Sequence, residues 1–103
     1  MKPTIYYITC KDKKEARKIA DVLLNKKLII CAKEIPVYSS FIWKGKIEKT
    51  NEILLLLESV KENFKAIEKE IRKIHSYETF VLFEIPVSKT TKDVKNWIKD
   101  SIQ

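Results

Sequence analysis

The period of the apolar positions changes several times along the chain, and each change marks an element. "TIYYITC", Thr4 to Cys10, is rich in β-branched and aromatic residues and predicts a strand. In "KDKKEARKIADVLLNKK", Ala16, Ile19, Ala20 and Leu23 recur at the spacing of one helix face. Asp12 stands at the N-cap position with Glu15 three residues on, and Lys26 and Lys27 suit the last turn. "LIICA", Leu28 to Ala32, is a buried-strand run, and "VYSSFIW", Val37 to Trp43, is strand-like too. Pro36 between them marks a bulge or an edge. The only glycine, Gly45 in "WKGKI", is the natural hairpin turn, and the return strand runs from Ile47 to about Glu58.

"SVKE" places Ser59 as the cap of a second helix, with Glu62 completing a capping box. Phe64, Ile67, Ile71 and Ile74 share one face, so that helix ends at about His75. "TFVLFEIPV", Thr79 to Val87, is the fourth strand. Thr91 caps a last helix, with Val94, Trp97 and Ile98 expected to face inward. The order βαββαβ plus a final helix predicts an α+β, ferredoxin-like sandwich: one antiparallel sheet, its two main helices on one face. At 103 residues this is a single domain spanning 1–103.

Two features predict self-association. "ILLLL", Ile53 to Leu57, is apolar at every position, so both faces of that strand call for burial while helices cover one. A strand from Ile29 to Trp43 would reach about 50 Å at roughly 3.3 Å per residue. A compact domain of this size is only about 33 Å across, so the arm must bend at Pro36 or project. A projecting arm bearing Tyr38, Phe41 and Trp43 is an interface between copies.

Charge changes the picture little. The net charge is +7, but the 21 Lys+Arg are spread along the chain and interleaved with acids, as in "KEIRKIH". That reads as a solvated lysine-rich surface. An RNA-recognition domain shares the element order but needs aromatics on its third strand, and "EILLLLE" has none, so no nucleic-acid partner is expected. "MKPTIYYITCKDKK" lacks the features of an export signal, no run approaches the roughly 18–20 apolar residues of a membrane span, and a cytoplasmic protein is expected. Cys10 and Cys31 fit no zinc spacing and read as reduced thiols, Cys31 in an apolar run and Cys10 exposed at a strand end. No G-x-S-x-G elbow and no glycine-rich phosphate loop points to an enzyme.

"HSYE", His75 to Glu78, carries the only histidine. It stands at a helix C-terminus, where an imidazole is favoured by the helix dipole. It is also a potential copper or zinc ligand, but stable sites need three or four donors, here from Cys10, Cys31, Glu78 or another subunit. Phe41 and Trp43 at the hairpin tip suit interface packing or a pocket, with Tyr77 against it. Glu48, Glu52 and Glu58 alternate onto one strand face, where they are solvated or meet a cation between subunits.

These residues together resemble the CutA family of divalent-cation tolerance proteins. The stretch with Leu28, Ile29, Cys31 and Ala32, the hairpin tip with Phe41, Trp43, Gly45 and Ile47, and the motif His75, Tyr77, Glu78 carry the resemblance, with Thr9, Asp12, Ala16 and Trp97 fitting around them. It implies a ferredoxin-like subunit, a homotrimer with interlocked hairpins, a link to copper and other divalent ions, and no established catalytic reaction. The implied metal set is His75 with Cys31 and Glu78; Phe41, Trp43, Tyr77 and Glu52 would line a subunit interface or pocket. An alternative is a trimeric regulatory or scaffold protein with a small molecule in its subunit clefts. The chain departs from the family pattern at Lys11, Ser76 and Phe80, where prolines are common, and at Glu58, where a lysine is.

Overall fold

The structure, a computed structural model, describes residues 1–102. Strand β1 (Pro3–Cys10) is followed by α1 (Lys13–Asn25), then β2 (Cys31–Trp43) and β3 (Lys46–Val60). A 3-10 turn (Lys61–Asn63) leads into α2 (Phe64–Ile74), β4 (Leu82–Pro86) and α3 (Lys92–Ser101). The sheet is antiparallel throughout, in the order β2-β3-β1-β4. This is the expected ferredoxin-like architecture.

Alternation decides which face is covered. In β1, Tyr6, Ile8 and Cys10 point to the same side as Ile53, Leu55 and Leu57 of β3. Ala16, Ile19 and Leu23 of α1 and Ile67 and Ile71 of α2 close over them, and all of these except Ile53 are fully buried. Each leucine and isoleucine among them contributes about 1.5–3 kcal/mol. A second cluster forms where Ile98 and Ile102, at the end of α3, meet Val60, with Ile30 and Val94 beside them.

The opposite face has such a cover only at its Val60 end, beneath α3. Ile35, Phe83 and Ile85 are exposed there, Tyr7 packs on Phe83 at a ring separation of 5.6 Å, and Leu54 and Leu56 are only half-buried. The hairpin leaves the domain because β1 stops at Cys10, opposite Ile53, while β2 and β3 pair on from Val37–Glu52 to Trp43–Lys46. The molecule is therefore 45 Å long and only 26 × 22 Å across. The register of β2 on β3 is unbroken through Pro36, so this proline marks an edge strand and not a bulge. Lys44 and Gly45 close the arm with φ of 51° and 78°, the positive pair that a type I′ hairpin requires.

Four local expectations are corrected. Ser59 does not cap a helix: its backbone pairs with Thr4, its hydroxyl donates to the Leu28 carbonyl, and α2 begins after the 3-10 turn. The two strands read in 28–43 are one, because the ladder with β3 runs unbroken from Cys31 to Trp43, and Leu28 to Ile30 precede it. Strand β4 starts at Leu82 instead of Thr79, since its ladder with β1 begins only where Leu82 pairs with Ile8. Trp97 does not face inward; it is 48% exposed, and Ile98 fills the position beneath α3.

Candidate metal centre

Three elements converge at the C-terminal end of β1. The strand's alternation turns Cys10 inward beside Tyr6 and Ile8. Helix α1 begins at Asp12, whose carboxylate accepts the Glu15 N–H at 2.8 Å, and Glu15 lies on the same stripe as Ile19 and Leu23. Helix α2 ends at His75, whose backbone N–H still bonds to Ile71 but whose ψ of 134° is extended, turning the chain across the end of β1. The ligand atoms of Cys10, Glu15 and His75 all lie within 4.8 Å of one another.

Hydrogen bonds fix the tautomer of His75. Its Nδ1 faces the Tyr77 backbone N–H at 3.0 Å, which can only donate. Its Nε2 faces the Thr9 carbonyl at 2.9 Å, which can only accept. The proton therefore sits on Nε2. The ring is fully buried, stacked on Phe80 at 5.0 Å and tilted against Tyr77 at 4.9 Å. Glu15 is 3.8 Å from Nδ1, beyond hydrogen-bond reach.

Glu15 instead serves two backbone amides, Lys11 N–H at 3.1 Å and Ser76 N–H at 2.9 Å. Burial alone would raise its carboxyl, but the bonds from Ser76 and Lys11 outweigh it and hold the group below the usual carboxylate range. Cys10 goes the other way: burial first, then the carboxylates of Glu15 and Glu52, push its thiol up to about 12. The expectation of an exposed Cys10 is thus corrected, for it has no accessible surface.

The residues read as metal ligands are only partly brought together. Cys31 opens β2 opposite Glu58, four residues along the sheet from the level of Thr9 and Leu54. There its sulfur accepts from the Lys33 ammonium at 3.3 Å, and Lys33 also pairs with Glu58. Glu78 is exposed and faces the hairpin arm. Within one chain neither Cys31 nor Glu78 joins His75; Cys10 and Glu15 do. The sequence held signals for both: Cys10 is in phase with Tyr6 and Ile8, and Glu15 with Ile19 and Leu23.

Beside this cluster, Phe41 and Trp43 from the arm and Tyr77 and Glu78 from the turn line a groove of about 390 Å³. The Tyr77 hydroxyl donates to Glu52 at 3.0 Å, and burial followed by Glu52 raises it to about 12. Of the anticipated set, Phe41, Trp43 and Tyr77 share this groove along the arm, and Glu52 joins them only through the Tyr77 hydroxyl.

Residues 4–101 match the family described as CutA1 divalent ion tolerance protein. The divalent-cation tolerance protein CutA of Archaeoglobus fulgidus is 35% identical over 97 residues, spanning 94% of this chain and 95% of that protein. Its counterpart from Thermotoga maritima is 31% identical over 98 residues, spanning 95% and 97%. The solved structure of the periplasmic divalent cation tolerance protein CutA from Archaeoglobus fulgidus superposes with a TM-score of 0.96 at 34% identity, over 98% of this chain and 99% of that one. CutA from Xylella fastidiosa gives 0.94 at 28% identity, over 100% of both.

Proposed function

From the premise that the chain belongs to the CutA1 divalent ion tolerance protein family, we propose that it acts in divalent-cation tolerance as a homotrimer that binds copper or another divalent ion weakly and performs no catalysis. The observation that carries the metal reading is the meeting of a thiol, a carboxylate and an imidazole within 4.8 Å. A sulfur, a nitrogen and an oxygen donor suit copper or zinc better than a hard cation. Cys31 and Glu78 contribute only where another copy brings them near.

The geometry supports weak binding. An ion on Nδ1 must displace the Tyr77 N–H, one on Nε2 must displace the bond to the Thr9 carbonyl, and Cys10 must lose a proton held up to about 12. The same facts argue against catalysis: a protonated thiol beside an imidazole tied to backbone at both nitrogens is no nucleophile–base pair. The uncovered apolar face and the projecting arm support the trimer. Two free thiols suit the reducing cytoplasm, where we place the protein.

The groove at Phe41, Trp43 and Tyr77 favours a second reading, a trimeric scaffold or regulator with a small molecule in its subunit clefts. Native mass spectrometry with copper, on the wild type, His75→Ala and Cys10→Ser, separates these. A trimer with fixed copper stoichiometry lost in both variants is expected. Copper uptake insensitive to both overturns the metal site, and a monomer overturns the assembly.

A further inference from the structure

A second cavity, of about 460 Å³, lies at the other end of the sheet from His75, between the start of β1, the loop after β4, and α3. Lys2, Lys61, Lys89 and Lys95 line it, with Glu84 the one carboxylate in its wall. None of these four ammonium groups is paired with a carboxylate among the described residues, whereas Lys26, Lys33 and Lys73 all are. The neighbouring Glu62 accepts the Lys2 backbone N–H. Four lysines against one carboxylate in its lining give the cleft a positive field that an anion would neutralise.

The backbone adds to the same field. Helix α3 starts beside the cavity: Thr90 lines it, and Thr91 caps the helix by accepting the Val94 N–H. The positive end of the helix dipole therefore reinforces the lysines. Backbone bonds hold one wall, Lys61 N–H to Lys2 at 2.8 Å and Val87 N–H to Pro3 at 3.2 Å, so Lys2 and Lys61 rise from a paired backbone.

We propose that this cleft binds a polyvalent phosphate-type anion. Lysine meets phosphate oxygens as a point charge, and a single carboxylate ligand would leave most of the four ammoniums unsatisfied. Glu84 refines the class: it repels a fully ionised oxyanion but accepts a hydrogen bond from a ligand hydroxyl or a protonated phosphate oxygen. Sulfate, unprotonated at neutral pH, offers Glu84 no such donor. The volume suits a small molecule.

The test is calorimetric titration of the full chain with pyrophosphate and with sulfate at matched ionic strength. Lys61→Gln/Lys95→Gln is compared with Lys18→Gln/Lys65→Gln, two exposed lysines outside the cleft. Pyrophosphate should bind one per chain, about tenfold or more tighter than sulfate, and the cleft pair should weaken it by about tenfold or more, as expected for lost bonds to charged groups. The control pair should leave it unchanged, and Glu84→Gln should narrow the preference over sulfate. Pyrophosphate no tighter than sulfate, or equal weakening by both lysine pairs, would reduce the cleft to ordinary lysine-rich surface and overturn the proposal.

Discussion

Glu15 and Ser76 lie 61 residues apart, yet one carboxylate oxygen accepts the Ser76 N–H at 2.9 Å. The other oxygen accepts the Lys11 N–H, so a single side chain ties the start of α1 to the exit of α2. Glu15→Ala leaves both amides without their acceptor. At about 1.5–3 kcal/mol for each bond to a charged acceptor, discounted because both are only part-buried, a loss of about 2–4 kcal/mol is expected. Urea denaturation at fixed protomer concentration measures it. A loss below about 0.5 kcal/mol would show that water replaces the carboxylate freely.

The same carboxylate gives the fold an acid limit. Its folded pKa lies below the ordinary value of 4.5, so its stabilisation is complete above about that pH and is lost as pH falls through the folded pKa. Unfolding midpoints between pH 6 and pH 3 should fall more steeply for the wild type than for Glu15→Gln. Parallel curves would place the acid sensitivity elsewhere.

Thiol chemistry separates the two cysteines. Cys10 is fully buried and its thiol is pushed up to about 12, so almost no thiolate exists near neutral pH. Iodoacetamide should leave Cys10 unmodified in the native protein and alkylate it only after unfolding, and peptide mass spectrometry identifies the residue. With an ordinary value of 9.0, the stabilisation from keeping this thiol protonated is complete below that pH and is lost as pH rises towards 12. Native alkylation of Cys10 at pH 7 would show that the end of β1 opens readily.

Much of the fold was legible because its signals are local. The stripe Ala16, Ile19, Ala20, Leu23 and the turn at Gly45 each carry their meaning within a few residues. Ser59 misled because a tertiary ladder, its pairing with Thr4, overrode a valid capping signal. The cluster at His75 was less legible for the same reason. Whether Cys31 or Cys10 meets the imidazole depends on where β1 ends against α2, which no short-range pattern states. Glu15 was visible as a cap acid, but its two bonds come from beyond the helix, and one comes from 61 residues further along the chain.

The hairpin tip offers a stabilising change. Lys44 holds a φ of 51°, a conformation that costs a β-carbon-bearing residue about 1–2 kcal/mol and that asparagine tolerates best among such residues. Against this, the Lys44 ammonium lies 5.7 Å from the centre of the Trp43 ring, near the limit of a cation–π contact worth about 0.5–1 kcal/mol at an exposed site. The backbone term is the larger, so Lys44→Asn should raise stability by about 0.5 kcal/mol, read as a higher urea midpoint at unchanged slope. Gly45→Ala, with φ of 78° but nothing within 4 Å of the added carbon, should lose about 1 kcal/mol from backbone strain alone. If Lys44→Asn destabilises while Gly45→Ala behaves as expected, the Lys44–Trp43 contact outweighs the strain, and the arm's tip is held by its side chains more than by its turn.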